Sequence, residues 1–238
     1  MPVDILAIAA HRDDVELTCA GTLLKALDAG YQTAILDLTA GETGTRGSAD
    51  VRAEEAARAA ALLGVAERRN AGLPDAHLEN SVAARRVVVD HIRHFAPRVV
   101  ILPFPVGRHP DHRVASELGR DACYLAGLAR YDAPGPAHRP HKVLYALSYR
   151  EDPVKPTFVV DISEQFDRKL ASIRCYSSQF EGAKAAGEIF PTGQDLYSLV
   201  QTQNAHYGSL IRTRYGEPFY TEETMAVEDV VRLDVQSM

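Results

Sequence analysis

Tryptophan is absent from the 238 residues, and only three cysteines and three methionines occur. The cysteines, Cys19, Cys123 and Cys175, are odd in number, far apart and form no CxxC pair. That pattern excludes a disulfide framework and reads as reduced thiols filling the core of a cytoplasmic protein. No apolar run approaches the ~18 residues needed to cross a bilayer. Met1–Ala10 lacks the basic start and small-residue cleavage site of a signal peptide. Positive charge is the minority: 26 Lys and Arg stand against 32 Asp and Glu, a net of −6. A broad basic surface for nucleic acid is thereby excluded, while a local arginine cluster for a small anion is not. Repeats and low-complexity tracts are missing. So is a GxGxxG after the first apolar run, which removes the dinucleotide-binding fingerprint.

What remains is ordinary for a soluble globular chain: 46% hydrophobic and 24% charged residues, in a length that suits one substantial core. We expect one domain over 1–238, with a core over 1–130 and further strands and helices over 140–238 completing its site. Apolar runs at 3–10, 33–39, 69–73 and 98–103 read as strands. Helical spacing covers 15–29, 51–63, 82–95 and 114–128, with Gly64 placed as a C-cap. Residues 42–49, with glycines nearby, read as a loop. Two more strands are expected over 142–148 and 157–161, and helices over 163–176, with Ser163 as N-cap, and over 196–212. Strand–helix alternation implies an α/β fold: a doubly wound, Rossmann-like, mostly parallel sheet with helices on both faces. Ligands of such sheets bind outside the carboxyl ends of the strands. Four polar loops converge there: His11–Asp14, Gly41–Gly47, Leu73–Asp75 and Pro105–His112.

Two of these loops carry chemistry. His11-Arg12-Asp13-Asp14 sets two carboxylates beside an imidazole at the end of a buried strand, where they repel unless a cation sits among them. The plainer reading is a solvated turn with an N-cap Asp. His109-Pro110-Asp111-His112 sets two histidines around an acid, able to divide metal binding from proton transfer; the plainer reading is the first turn of a helix. Together, at one end of one sheet, the clusters point to a metal. Imidazole and carboxylate ligands suit Zn2+, with Fe2+ or Co2+ also fitting, and three protein ligands plus water is the usual catalytic arrangement. Arg46 and Arg52 are candidates for binding a carboxylate or hydroxyls. His77, His91, His94, His138 and His141 lack partners at ligand spacing.

The pattern resembles the LmbE-like, or PIG-L-like, N-acetylglucosamine deacetylases. Their Ala-His-Pro-Asp-Asp motif is matched by Ala10-His11-Arg12-Asp13-Asp14 and their His-Pro-Asp-His motif by His109–His112. Gly21-Thr22-Leu23, Arg52 with Glu55, and Leu73-Pro74-Asp75 also match. The resemblance implies zinc on His11, Asp14 and His112, with Asp13 as general base; the split between Asp13 and Asp14 rests mainly on it. It further implies His109 as a protonated acid or oxyanion stabiliser, Asp111 as its orienting partner, and Arg52 on sugar hydroxyls. Arg108, His138-Arg139-Pro140, Phe158–Ser163, Tyr176–Phe180 and Tyr215–Phe219 look closest to the bacillithiol branch, which acts on N-acetylglucosaminyl-malate. That likeness makes Arg108 a candidate for the malate carboxylate and Tyr215 a candidate reaching a neighbouring site. Other aglycones remain open: further thiol-precursor groups, inositol, or short chitin-like sugars. A homo-oligomer, a hexamer among the options, is also implied. Two departures stand out. Arg12 replaces proline and is expected to point to solvent, and Asn204–Gly208 lacks the arginine of close relatives. A signalling receiver domain would explain the paired acids, but not His109 and His112, and no suitable lysine follows residues 144–148. A metal-binding protein without catalysis would have no use for Asp13 and His109.

Overall fold

Alternation along the strands decides the layers. In β1 (Ile5–Ala9), Leu6 and Ile8 join one buried cluster, while Ala7 and Ala9 join another on the opposite face. β2 (Thr33–Thr39) is buried throughout and divides the same way: Ala34, Leu36 and Leu38 to one face, Ile35 to the other. A strand buried on both sides is the mark of a parallel sheet covered by helices. This computed structural model describes residues 2–147, 154–181 and 195–235.

Among the described residues the strands are β1, β2, β3 (Glu67–Leu73), β4 (Val99–Pro103), β5 (Lys142–Ala146), β6 (Phe158–Asp161) and β7 (Gly216–Tyr220). Their order is β3-β2-β1-β4-β5-β7-β6. The first five are parallel, and β7 runs antiparallel to both β5 and β6. The α-helices among the described residues are α1 (Asp14–Thr18), α2 (Ala20–Asp28), α3 (Ala49–Leu63), α4 (Val82–Phe95), α5 (Pro110–Ala126), α6 (Phe166–Arg174), α7 (Ser177–Phe180) and α8 (Leu196–Leu210). α4 and α5 cover one face, and α2 and α3 the other. Chain order reverses direction between β1 and β4, so the crevice for a ligand opens at their carboxyl ends.

Local sequence explains the best-placed elements. Ser48 and Ser81 cap α3 and α4 by accepting the N–H groups of Val51 and Ala84, and Gly64 closes α3 in the left-handed region. β3 is polar because it is an edge strand, and it starts two residues earlier than expected. α5 begins at Pro110, not Val114, so the His-Pro-Asp-His cluster is its first turn. Ser163 does not cap α6; its hydroxyl donates to Asp161 and accepts the Tyr215 N–H instead. The expected strand over 142–148 ends at Ala146, and Ser148 lies outside the described residues. β7 has no counterpart among the expected strands.

The single helix expected over 15–29 is two. At Cys19 the backbone leaves helical geometry (φ −143°, ψ 12°), and the groups that would continue the ladder are taken elsewhere. The Leu17 carbonyl accepts Lys169 Nζ at 2.8 Å. The N–H groups of Gly21 and Thr22 go to the two carboxylate oxygens of Glu217, at 2.9 and 2.7 Å. Lys169 and Glu217 pair at 2.6 Å with no exposed surface. A buried ion pair inserted into the hydrogen-bond ladder is an identifiable cause of a kink.

Candidate active site

The β1–α1 loop folds back on itself. Asp14 Oδ2 accepts the His11 N–H at 2.9 Å, and Asp13 occupies the N-cap position of α1, yet its side chain caps nothing. That carboxylate is held by Arg52 of α3, Nη2 to Oδ1 3.1 Å, with the guanidinium buried. Arg52 also donates to the Gly41 carbonyl at 3.1 Å. Gly41 has φ +71°, and a Cβ there would sit 2.1 Å from Arg52 Nη1, so the loop after β2 requires glycine at this point. Arg52 Nε is buried without a partner among the described residues. Glu55, one turn on, accepts the Ser178 N–H and hydroxyl at the start of α7.

From the β4–α5 loop, His112 reaches the same point. Its Nε2 lies 3.2 Å from Asp14 Oδ1 and 3.3 Å from His11 Nδ1, and His11 Nδ1 lies 3.4 Å from Asp14 Oδ2. The other nitrogen of His11, Nε2, faces Asp75 Oδ1 at 3.1 Å and Asp111 Oδ2 at 3.5 Å. Asp75 is tied down by the backbone and hydroxyl of Thr43 at 2.9 and 2.6 Å, and Asp111 by the Ala76 N–H at 2.8 Å. Ala76 holds φ +60°, a costly conformation for alanine that aims its N–H at these carboxylates. The loops after β1, β2, β3 and β4 are thereby laced together.

This clustering sets the electrostatics. Burial alone would lower the pKa of His11, but its hydrogen bond to Asp14 and the charges of Asp14, Asp13 and Asp75 outweigh that and raise it to about 9. Asp14 is driven the opposite way: burial opposes ionisation, yet His112 and His11 hold its carboxyl well below the usual range. Asp13 is pushed up by burial and by Asp14, against the pull of Arg52. Two N–H groups cannot point at each other across 3.3 Å, so at least one of the facing nitrogens of His11 and His112 offers a lone pair. Three mutually close donor atoms amid a surplus of negative charge fit a divalent cation. The two facing nitrogens stand 3.3 Å apart, each meets a different oxygen of the Asp14 carboxylate at 3.2 and 3.4 Å, and one ligand atom from each residue lies within 4.8 Å of the others, close enough to share one ion. A second group, His11, His109 and Asp111, also has ligand atoms close together. It shares His11 with the first set.

His109 Nδ1 accepts the Asp111 N–H at 3.2 Å, so the neutral ring carries its proton on Nε2. Desolvation, then His112 and His11, lower its pKa. The main chain of Asp111 thus meets His109, while the Asp111 carboxylate faces His11. Arg12 does not point to solvent. Its guanidinium donates to the Ala49 carbonyl at 2.5 Å, and its own carbonyl accepts from both Arg68 and Tyr176. Arg46 reaches the carbonyls of Gln179 and Glu181 at 3.4 and 3.1 Å, and so braces the loop after β2 against α7. Tyr215 is not brought to the cluster: its ring stacks on Phe166 with centroids 3.8 Å apart, inside the C-terminal core. Arg108 is exposed beside His109. Asp75, expected only as part of the Leu73-Pro74-Asp75 match after β3, faces His11 Nε2.

Residues 6–123 match the family model described as PIG-L, GlcNAc-PI de-N-acetylase. The diacetylchitobiose deacetylase of Thermococcus kodakarensis is 31% identical over 229 residues, covering 90% of this chain and 80% of that protein. The probable N-acetyl-alpha-D-glucosaminyl L-malate deacetylase 2 of Bacillus anthracis is 28% identical over 189 residues, 74% of this chain and 81% of its own. A conserved protein of Thermus thermophilus superposes with a TM-score of 0.85 at 34% identity, covering 95% of this chain and 98% of the other. The motif residues, the sheet and these relatives agree: this chain belongs to the PIG-L (LmbE-like) family of deacetylases, which are amidohydrolases.

Proposed function

We propose that the chain hydrolyses the acetamide of an N-acetylglucosamine conjugate, using a divalent metal, zinc by preference, held by His11, Asp14 and His112. The observation that carries this reading is the convergence of those three donor atoms beside a carboxylate, Asp13, that is fixed by Arg52 and spent on no cap. Bound there, the metal supplies a Lewis acid for the acetamide carbonyl and lowers the pKa of water. Asp13 takes a proton from the attacking water, a task suited to a carboxyl whose pKa is raised. Neutral His109 presents its Nε2 proton to the carbonyl oxygen as that atom gains charge. Asp75 and Asp111, facing His11 Nε2, fix the ring so that Nδ1 is the ligand. The C–N bond breaks as the amine takes up a proton returned by Asp13, giving acetate and a free glucosamine amine.

The aglycone is the finer question. Both relatives are named as deacetylases of an acetylated sugar. Exposed Arg108 beside His109 supports an acidic aglycone such as malate, and the higher identity to the chitobiose enzyme supports a short chitin-like sugar. The test is amine release from N-acetylglucosaminyl-malate, diacetylchitobiose and free N-acetylglucosamine, with zinc and after chelation. Metal-dependent release from any of them is the expected result, and the ratio between the first two assigns the aglycone. Stoichiometric zinc with no release from all three would refute the proposal.

A further inference from the structure

Three residues of the β1–α1 loop carry the proposed chemistry, His11, Asp13 and Asp14, and Arg12 stands among them. Within the loop, the His11 N–H reaches Asp14 Oδ2 at 2.9 Å, and the Asp14 N–H reaches the His11 carbonyl at only 3.4 Å. The rest of its hold comes from outside. Arg12 Nη1 donates to the Ala49 carbonyl at 2.5 Å, across 37 positions of the chain. Ala49 is the first residue of α3, directly behind the Ser48 cap. Arg52, on the same turn of that helix, holds Asp13 at 3.1 Å. Two consecutive loop residues are therefore fastened to one turn of one helix, where residues three apart share a face. The Arg12 carbonyl is fixed separately, by Arg68 of β3 and by Tyr176. A guanidinium–carbonyl bond is charge-assisted, hence stronger than a neutral one, and Arg12 is half-buried.

We infer that Arg12 is a positioning residue, whose side chain straps the loop to α3 and so fixes the spacing of His11, Asp13 and Asp14. The inference rests on the proposed metal-dependent hydrolysis. A proline, which stands at this place in the motif that the loop resembles, would stiffen the turn through the chain itself by fixing φ. The strap reaches the same end through a tertiary bond. The backbone at Arg12 is compatible with either device. Its N–H has no acceptor among the described residues, so proline would forfeit no hydrogen bond, and its φ is not positive. Cutting the strap frees the loop to open locally, which loosens two candidate ligands and the candidate base together. Restoring stiffness by proline, without restoring the guanidinium, should therefore restore all three.

The experiment compares Arg12→Met, which keeps the aliphatic stem and loses the donors, with Arg12→Pro. A readout that needs neither metal nor substrate is amide hydrogen exchange at His11 and Asp14, whose N–H groups are bonded within the loop. Exchange there should be roughly tenfold faster in Arg12→Met, the weight of one lost hydrogen bond, and return to its original rate in Arg12→Pro. The zinc dissociation constant, from competition with a chromogenic chelator, should rise roughly 10–100-fold in Arg12→Met, the usual loss when a group that orients metal ligands is removed, and recover in Arg12→Pro. At saturating zinc, kcat should fall in Arg12→Met with KM unchanged, and recover likewise. Unchanged exchange and zinc affinity in Arg12→Met would overturn the strap, and so would a folded Arg12→Pro that recovers neither. A raised KM at unchanged zinc affinity would assign the guanidinium to substrate and overturn it too. Should Arg12→Pro fail to fold, Arg12→Met decides alone. If no N-acyl sugar is hydrolysed at all, the proposed function fails, and hydrogen exchange still decides whether Arg12 holds the loop.

Discussion

Asp13 and Asp14 are chemically identical neighbours with opposite environments. Asp14 is surrounded by imidazoles that favour its charge, and Asp13 by a single arginine that only partly offsets burial. Replacing each by asparagine should therefore fail differently. Asp13→Asn should lose roughly 10²–10⁴-fold in kcat with the metal content unchanged. Asp14→Asn should lose the metal first. Metal analysis alongside steady-state kinetics separates the two, and a normal turnover in Asp13→Asn would remove its role as base. At this scale the sequence was legible where the partners are local: His11 with Asp14, and His109 with His112, lie three residues apart. It was silent where they are distant. Arg12 looked like a solvent-facing substitution because its partners, Ala49, Arg68 and Tyr176, lie 37 to 164 residues away. The Arg12 carbonyl sits between the first candidate ligand and the candidate base, and the Tyr176 hydroxyl is one of its two donors. Tyr176→Phe should raise the dissociation constant of the metal and lower kcat together, by roughly the 10-fold expected from one lost hydrogen bond of about 1–1.5 kcal/mol. Competition with a chromogenic chelator would check it; an unchanged metal affinity would count against the clamp.

Elements with a strong internal period were read to the residue: β2 over 33–39 and α4 over 82–95 appear as expected. Parallel strands and capped helices announce themselves through local patterns. β7 does not, because its five residues include a glycine and a proline, and it is a strand only through pairing with β5 and β6. The same strand delivers Glu217 into the break between α1 and α2, so one missed element explains a second misreading. The break matters because it sets the direction of α1, which begins at Asp14. Glu217→Gln leaves Lys169 as a cation with no exposed surface and no counter-ion beside it. Breaking a buried pair on one side costs about 3–5 kcal/mol, and urea denaturation should register a loss of that order. A loss below about 1 kcal/mol, the scale of a surface ion pair, would mean that Lys169 finds another partner.

For the whole molecule, the C-terminal part is fastened to the parallel core by buried charge as well as by apolar packing. Arg68 of β3 bonds Asp37 of β2 at 2.8 and 2.9 Å, Glu16 of α1 at 2.6 Å, and the Arg12 carbonyl. Tyr176, after α6, joins Glu16 at 3.0 Å. The second carboxylate oxygen of Glu16 is buried with no partner among the described residues. Burial raises the Glu16 carboxyl from 4.5 to about 7, against the pull of Arg68 and with a smaller push from Asp37. Between those values the folded chain holds a proton on Glu16 that the unfolded chain has lost. The stabilisation from that proton is complete below pH 4.5 and disappears as the pH rises through about 7. A glutamine at this position keeps the shape and cannot ionise. The unfolding free energy of Glu16→Gln should therefore gain on that of the unsubstituted protein as the pH climbs from about 5 to about 8, by up to about 3 kcal/mol for a shift of this size. Urea titrations of both proteins across that range give the difference directly. Parallel curves would show that Glu16 keeps its charge throughout, and that Arg68 is strong enough to hold two buried carboxylates at once.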